Sequence, residues 1–457
     1  MKHLRKVLVL SALCFLFLAS CSDDDNGTQT MVEPTIAELA ILSSDLSTLV
    51  QALDRAQLVT TLQGPGPFTV FAPTNAAFDS FLAANNFDSL DDVPTDVLTQ
   101  VLLNHVVSGE NFSDDLTTGY ISSLSTAGPN GRNLSLFVSI GSAVSINNAE
   151  VSEPNVDASN GVIHIVDEVI GLPTIVDHAV NNPDFSELVG ALTANNNTTF
   201  TDLLSDTATN FTVFAPVNAA FTTFTNPNSN DIDNILSYHV LSGTAAFSDA
   251  LMNMYVSTAG TNSDGDALSQ YVNTDDGVTI NGTSNVAVAD VVAINGVVHA
   301  VDAVIDLPSV VTFATADPNF STLVQALTEL TPSVDFAGVL SAQDGNGDDP
   351  FTVFAPTNDA FAAITVPDEA GLIPVLQHHV LAGINVRSED LMPNGVTNVL
   401  TLEGDILSIT LPGTEDNIAD VTDGAGNDGI GIIAVDVQAN NGVIHVLNTV
   451  LLPDTTN

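Results

Sequence analysis

The sequence predicts an α+β protein built from three tandem copies of one domain. Three phrases recur in the same order, with successive copies about 140 residues apart. The phrase FTVFAP begins at Phe68, Phe211 and Phe351, and the phrases His-Val-[VL]-[SA]-Gly and Asn-Gly-Val-[IV]-His also occur three times each. Because a repeat of this length is the size of a whole domain, it indicates complete domains in tandem rather than a solenoid of short units.

Residues 1–20 have the pattern of an export signal. A basic start, MKHLRK, precedes the apolar run VLVLSALCFLFLAS, which is too short to span a bilayer as a helix. The segment Leu18-Ala19-Ser20-Cys21 resembles the lipobox of bacterial lipoproteins. It predicts that Cys21 is lipidated and becomes the first residue of the mature chain. The alternative is an ordinary signal peptide that happens to contain a cysteine.

Residues 21–33 have the polar composition of a flexible acidic tether. The serine and three aspartates after Cys21 resemble a surface-export signal of lipoproteins in some Gram-negative bacteria. We therefore expect an exported outer-membrane lipoprotein exposed at the cell surface, with a periplasm-facing anchor as the alternative.

The chain is strongly acidic, with a formal net charge of −49, which becomes −52 without the three basic residues of segment 1–20. Only Arg55, Arg132 and Arg387 then remain as basic residues. Such a surface repels nucleic acid and anionic membranes, so contact with a membrane is expected only through the lipid. Divalent cations, cationic surfaces or solubility in a salty habitat are compatible with this charge. Once Cys14 and Cys21 are accounted for, no cysteine is left for a disulfide.

Each copy is expected to open with helices. Thr35 and Glu38 have the spacing of a capping box, and an apolar helical face follows. This face recurs in the three copies at Leu46, Leu49, Val50 and Leu53, at Phe185, Leu188, Val189 and Leu192, and at Phe320, Leu323, Val324 and Leu327.

The FTVFAP phrase is predicted to be a strand buried on both faces and stopped by its proline. A short helix should follow, with Asn75, Asn218 and Asn358 as its N-caps. The Asn-Gly phrase predicts a tight hairpin between two β-rich runs, because both residues tolerate positive φ. With almost no linker between copies, we expect a stiff array with domains at 34–172, 173–307 and 308–457.

The ordered boxes FTVFAPTNxAF, His-Val-xx-Gly and NGVIHxVDxVxxLP are similar to those of the fasciclin-like (FAS1) adhesion domain, three times over residues 34–453. This resemblance implies a β-wedge or sandwich of about seven strands with packed helices. It also implies secreted or surface-anchored proteins that act in cell adhesion and matrix contact and are not enzymes.

The resemblance also suggests candidate binding residues. In animal members a Tyr-His pair and an Asp-Ile pair are linked to integrin binding. Here Tyr238-His239 matches the first pair in the second copy alone, and Asp290 and Asp436 occupy the aspartate position of the second pair. Because the match is partial and the lipobox is bacterial, integrin contact is not carried over.

Other motif residues have two interpretations. The repeated histidines are either a two-histidine site for a metal or a general base, or buried groups that tie the backbone together. Their apolar surroundings, and the lack of a carboxylate at consistent spacing, favour the structural interpretation. We assign the same structural role to the Asn-Gly pairs. These residues are His105, His239, His379, His164, His299, His445, Asn160, Gly161, Asn295, Gly296, Asn441 and Gly442.

One loop of the third copy suggests calcium. Asp344, Asn346 and Asp348 place oxygen ligands at alternate positions, as in the first half of an EF-hand loop, but the glutamate at the twelfth position is missing. The alternative is a flexible acidic loop, since Asp and Gly are common turn formers. No other cofactor is expected.

The sequence therefore favours a lipid-anchored surface protein that adheres to neighbouring cells or to extracellular polysaccharide. Its partners would be polysaccharides or proteins of the cell surface or matrix. A structural spacer of the envelope with a protein partner is the alternative. A hydrolase with an unrecognised site ranks last, because no nucleophile signature is present.

Overall fold

A computed structural model describes residues 33–194, 198–342 and 350–454. The predicted signal, Cys21, most of the tether and the loop with Asp344, Asn346 and Asp348 lie outside the described residues.

Each copy begins with three helices and continues with one strand, two helices and the remaining strands. Copy one contains α1 (Ile36–Leu42), α2 (Ser47–Arg55), α3 (Val59–Leu62), β1 (Phe68–Pro73), α4 (Asn75–Ala84), α5 (Thr95–Asn104), β2 (Val106–Ser108), β3 (Gly119–Ser122), β4 (Ser135–Ile140), β5 (Val144–Ile146), β6 (Ala149–Ala158) and β7 (Gly161–Val166). Copy two contains α6 (Ile175–Asn181), α7 (Ser186–Leu192), α8 (Thr199–Leu204), β8 (Phe211–Pro216), α9 (Asn218–Thr223), α10 (Ile232–Tyr238), β9 (Val240–Ser242), β10 (Met254–Thr261), β11 (Ala267–Asn273), β12 (Thr279–Ile280), β13 (Ser284–Ala293) and β14 (Gly296–Val301). Copy three contains α11 (Val310–Ala316), α12 (Ser321–Thr328), α13 (Phe336–Ser341), β15 (Phe351–Pro356), α14 (Asn358–Ala362), α15 (Glu369–His378), β16 (Val380–Ala382), β17 (Gly395–Leu400), β18 (Ile406–Leu411), β19 (Ala419–Thr422), β20 (Ile430–Ala439) and β21 (Gly442–Leu447).

Every copy forms one seven-stranded sheet with the same strand order, which in the first copy is β2-β1-β7-β6-β5-β4-β3. The FTVFAP strand β1 lies between β2 and β7 and pairs in parallel with β7, in a register that places Phe68 beside Gly161. The other neighbouring strands of this sheet are antiparallel. The predicted fold class, three tandem α+β domains of about seven strands each, is confirmed.

The FTVFAP strand divides its side chains between two hydrophobic cores. In the first copy, Val70 and Ala72 pack beneath the helices with Phe78. Phe71 points to the opposite face of the sheet and packs against Leu136. This arrangement follows from the two-residue period of a strand, which sends successive side chains to opposite faces. The copies at Phe211 and Phe351 are divided in the same way.

The predicted N-cap asparagines are wrong by one residue. The N-cap of α4 is Thr74, whose extended backbone allows its side chain to accept the Ala77 N–H. Asn75 is the first helical residue, and its Oδ1 accepts the Thr48 N–H at 2.8 Å, which ties α4 to α2. The third copy is capped in the same way by Thr357, whereas Val217 in the second copy forms no side-chain cap.

Adjacent copies pack directly against one another. At the domain 1–2 interface, Leu134 packs with Phe247, Val292 and Val297, and Ser135 Oγ accepts the Val292 N–H at 2.9 Å. The domain 2–3 interface repeats this bond with other residues, since Ser269 Oγ accepts the Gln438 N–H at 3.0 Å.

Within the described ranges, no single helix has the length and apolar character needed to cross a membrane. By length and composition alone, segments Ile36–Leu42 and Ser44–Arg55 meet the requirement together, across a bend of 105°.

Candidate functional site

One set of repeated histidines lies at the ends of helices, just before a short strand. In the first copy, His105 Nδ1 lies 2.7 Å from the Val101 carbonyl, and Nε2 accepts the Ile170 N–H at 2.9 Å. His239 and His379 make the equivalent pairs of bonds. Since a carbonyl only accepts, Nδ1 carries the proton and both ring nitrogens are occupied. Burial lowers the pKa of all three histidines to about 4, so they are neutral at pH 7.

The second set of repeated histidines lies on the strand that follows the Asn-Gly turn. His164 Nε2 lies 2.9 Å from the Asn111 carbonyl, and the ring stacks on Phe71 with centroids 5.6 Å apart. His299 and His445 make matching contacts. Burial also lowers the pKa of these histidines. Each of them ties a strand to the loop after β2, β9 or β16.

The Asn-Gly turns connect the last hairpin to the helices of the same copy. Asn295 is buried, its Oδ1 accepts the Ile175 N–H at 3.0 Å, and its Nδ2 donates to the carbonyls of Leu204 and Asp206. Asn160 and Asn441 do the same in their copies. The glycine that follows must have no side chain, because a Cβ on Gly296 would lie 2.1 Å from the Phe211 carbonyl oxygen. Gly161 and Gly442 are equally close to the backbone of Phe68 and Phe351.

The candidate binding residues drawn from the family resemblance also make internal bonds. Tyr238 is fully buried, and its hydroxyl donates to the Ser269 carbonyl at 2.5 Å and accepts from Asn281. Asp290 has a positive φ of 61°, and its carboxylate accepts the N–H of Ser248 at 2.8 Å. Asp436 bonds to Ser388 in the same way.

A group of potential cation ligands lies in the third copy, where His378, Glu403 and Asp405 bring ligand atoms within 4.8 Å of one another. His378 Nε2 accepts the Gly424 N–H at 3.1 Å, which places the ring proton on Nδ1, the nitrogen 3.4 Å from Glu403. An Nδ1–H donates a hydrogen bond and cannot coordinate a metal. The geometry therefore favours a histidine–glutamate hydrogen bond over metal coordination.

An apolar cavity lies between the helices and the sheet of the second copy. Its volume is about 80 Å³, and its lining includes Phe185, Phe200, Val213 and Val298. The equivalent gaps in the first and third copies are about 10 and 30 Å³. Since almost no polar atoms line this cavity, it offers no groups for catalysis.

Two of the three arginines in the described part of the chain lie at the domain interfaces. Arg132 pairs with Asp249 of the next copy at 2.5 Å, and its guanidinium lies 4.6 Å from the centroid of the Phe247 ring. Arg387 pairs with Asp266 of the preceding copy at 2.5 Å. The third arginine, Arg55, instead donates to backbone carbonyls within its own copy.

Aromatic contacts accompany both ion pairs. At the domain 1–2 interface, the rings of Tyr120 and His178 meet edge to face with centroids 5.6 Å apart. At the domain 2–3 interface, Tyr255 and Phe313 meet in the same way at 5.5 Å.

These interface contacts could not be read from the three repeated phrases, since none of the residues that form them belongs to a phrase. Aligning the copies on the capping residues Thr35, Thr174 and Ser309 would have shown that the fourth residue after each cap is Leu39, His178 or Phe313.

Comparison with known proteins agrees with this architecture. The fasciclin domain model matches residues 44–173, 183–308 and 318–453. The chain belongs to the fasciclin domain family.

Similar fasciclin relatives come from bacteria and animals. Protein sll1483 of Synechocystis is 42% identical over 136 residues, which is 30% of this chain and 72% of that protein. Human periostin is 26% identical over 420 residues, or 88% of this chain and 45% of periostin. The pig transforming growth factor-beta-induced protein ig-h3 is 25% identical over 476 residues, or 97% of this chain and 62% of that protein. The chain thus spans less than two thirds of each of these two animal relatives.

A solved FAS1 domain pair from the insect cell adhesion molecule fasciclin I is also similar. It shares 21% identity and a TM-score of 0.35, and the match covers 59% of this chain and 95% of that one.

Proposed function

We propose that the protein is exported, anchored through a lipid on Cys21, and adheres at the cell surface to neighbouring cells or extracellular polysaccharide. Fasciclin domains are linked to cell adhesion and extracellular-matrix binding, and this chain consists largely of three of them. We assign it no enzymatic activity.

The observation on which the proposal rests is the direct packing of three domains into one array. Each interface combines an aromatic contact, an arginine–aspartate pair and a hydrogen bond to a serine hydroxyl. An array held in this way presents three binding surfaces at fixed spacing. Weak contacts with a repetitive target then add through effective concentration.

Binding to cells and to polysaccharides tests the proposal. Residues 22–457, which contain all three described cores, are incubated with producer cells and with acidic and neutral polysaccharides, in calcium and in chelator. We expect retention on at least one of these surfaces. Lack of retention on every surface in both conditions contradicts adhesion and favours the spacer.

A paired variant tests the proposed calcium loop. If calcium bridges the contact, replacing Asp344 and Asp348 by Asn removes the calcium-dependent part of retention, as chelator does. The matched control replaces the exposed Asp114 and Asp115 by Asn, which makes the same change of charge elsewhere. Equal losses in both variants would indicate a general charge effect and remove the loop as a site.

A structural spacer in the envelope is the second candidate function. The paired arginines favour it, because two of the three basic side chains of residues 22–457 hold domains together. A spacer is expected to bind none of these surfaces. Cells that lack the protein should nevertheless show an abnormal envelope architecture.

A further inference from the structure

The two domain interfaces share a serine hydrogen bond and a tyrosine contact, and they differ at the buried residue that meets the tyrosine. His178 and Phe313 each lie four residues after the cap of the first helix, and each meets a tyrosine of the preceding domain. Both side chains are fully buried. Leu39, the equivalent residue of the first copy, is half-buried. The preceding domain therefore contributes to the burial of His178.

His178 is held in one neutral form. Its Nε2 lies 3.1 Å from the Val292 carbonyl, so Nε2 carries the proton. Its Nδ1 is buried and has no hydrogen-bond partner among the described residues. A second proton, on Nδ1, would place an unpaired N–H and a positive charge in the closed interface, which is unfavourable.

We propose that His178 makes the domain 1–2 interface sensitive to acid, so that protonation of its imidazole opens this interface while the domain 2–3 interface stays closed. The inference depends only on packing within the chain and is independent of the adhesion proposal. When the domains separate, water can hydrate the imidazolium.

Charged groups around His178 do not offset its burial. Asp177 on the same helix raises the pKa of His178, but burial has the larger effect and lowers that pKa to about 4. The elements packed against α6 also carry carboxyl groups, and three of them, on Asp184, Glu187 and Asp202, are exposed. The fourth, on Asp290, accepts from Ser248.

Across the interface, Tyr120 accepts a hydrogen bond from Asn182. Burial raises the pKa of Tyr120 to about 12. It is therefore neutral in the relevant pH range. The ion pair of Arg132 and Asp249 lies at the more exposed edge of the interface.

The sign of the pH effect follows from proton uptake. In the open form, His178 is expected to titrate near its ordinary pKa of 6.5, whereas burial lowers that pKa to about 4 when the interface is closed. The closed interface is favoured above pH 6.5 and loses this advantage as the pH falls towards 4. The ratio of open to closed forms should rise by about 100-fold between pH 7 and 4.

Hydrogen exchange tests the proposal, because each interface contains one amide that bonds across it. The Val292 N–H donates to Ser135, and the Gln438 N–H donates to Ser269. We would measure residue-resolved protection factors in residues 22–457 from pH 7 to 4, corrected for intrinsic exchange rates. The Val292 factor should fall by about 100-fold while that of Gln438 changes little. The Phe214 amide, bonded within domain 2 to the His239 carbonyl, reports unfolding of the domain itself.

Exchanging the two interface residues provides matched variants. His178→Phe should make Val292 protection as insensitive to acid as that of Gln438, and His178→Leu is the substitute if the larger ring disturbs folding. Phe313→His should transfer the sensitivity to Gln438. Asp249→Asn should leave the acid response of Val292 intact.

Three results would overturn the proposal. The first is a Val292 protection factor that stays constant until the pH at which the Phe214 amide also loses its protection. The second is an unchanged acid response in His178→Phe and His178→Leu. The third is an acid response abolished by Asp249→Asn alone, since it would assign the effect to the ion pair.

Discussion

At the scale of single residues, each Asn-Gly turn holds its domain together through one buried amide side chain. Asn295 accepts the N–H of Ile175 and donates to two carbonyls near the end of α8. These groups sit at helix ends, where backbone donors and acceptors have no partner within the helix. Because Asn295 is buried, its side chain forms the hydrogen bonds that water cannot supply to these groups.

The first prediction concerns this side chain. Asn295→Ala leaves one N–H and two carbonyls without their partner, so the free energy of unfolding of domain 2 should fall by about 2–4 kcal/mol. Urea titration followed by circular dichroism measures the change. Asn319→Ala is the control, because Asn319 is exposed and should change the stability by less than about 0.5 kcal/mol. Equal stability of the two variants would contradict the assigned role.

The second prediction concerns pH. His105, His239 and His379 are buried with a pKa of about 4, whereas in the unfolded chain their pKa is about 6.5. Since a lowered pKa means that the unfolded state binds more protons, stability is fully present above pH 6.5 and declines towards pH 4. Each histidine contributes at most about 3 kcal/mol to this loss. Urea titrations at pH 7.5, 5.5 and 4.5 measure it, and a free energy of unfolding that is constant over this range would rule out neutral burial.

At this scale the sequence indicates which side chains are buried better than it indicates their hydrogen-bond partners. The apolar surroundings of His164 and His299 predict burial, because such runs form core strands, and both side chains are buried. That His105 bonds to Val101 and Ile170 could not be foreseen, since Ile170 is 65 residues away. His178 was overlooked because it has no counterpart histidine in the other copies.

At the scale of secondary-structure elements, repetition makes differences between copies informative. The residue paired in register with the valine of the FTVFAP strand is Ile163 in the first copy, Val298 in the second and Ile444 in the third. The missing methylene coincides with the cavity of about 80 Å³, since Val298 lies in its lining. A smaller side chain at an otherwise equivalent position leaves space that the surrounding core has not filled.

The third prediction follows from this comparison. Val298→Ile should place a methyl group in the cavity and raise the free energy of unfolding of domain 2 by about 1 kcal/mol. Differential scanning calorimetry would detect this as a higher transition temperature. The reciprocal variant, Ile163→Val, should lower the stability of domain 1 by about the same amount. Destabilisation by Val298→Ile would instead indicate that the cavity cannot accept the group without strain.

Element boundaries show the limits of local patterns. Asn75 and Thr74 both belong to residue types that cap helices, and the sequence alone does not choose between them. The choice depends on α2, because its Thr48 N–H requires the acceptor that Asn75 provides. The FTVFAP strand was easier to predict, since its alternation and terminal proline are properties of the segment itself.

At the scale of the whole molecule, three long repeats predicted three domains, and the structure has them. The contacts between domains were not predictable in the same way. Tyr120 and Ser135 correspond to Tyr255 and Ser269 at the second interface, but these positions lie outside the repeated phrases. The ion pair that Arg132 forms is not repeated, because the arginine of the second interface belongs to the following domain. Single residues that recur at both junctions, among neighbours that differ, form no repeated phrase in the sequence.

The fourth prediction distinguishes the two arginines. Arg387 and Asp266 are 26% and 19% exposed, whereas Arg132 and Asp249 are 43% and 60% exposed. Coulombic attraction is stronger where less solvent screens it, and loss of one partner leaves a partly buried charge unpaired. Arg387→Gln should therefore weaken the coupling between domains 2 and 3 by about 1–3 kcal/mol. Arg132→Gln should weaken the domain 1–2 coupling by less, because solvent screens its more exposed pair.

Calorimetry can measure both variants, because domains that lose their coupling unfold in separate transitions. Each variant removes one positive charge from a chain of net charge −49, so the added repulsion between acidic groups is the same in both. A difference between the variants then reports the local environment of each pair. Arg387→Gln should separate the transition of domain 3 from that of domain 2, whereas Arg132→Gln should leave the calorimetric profile nearly unchanged. Equal separation in both variants would show that burial does not decide the strength of these pairs, and that the aromatic contacts hold the array together.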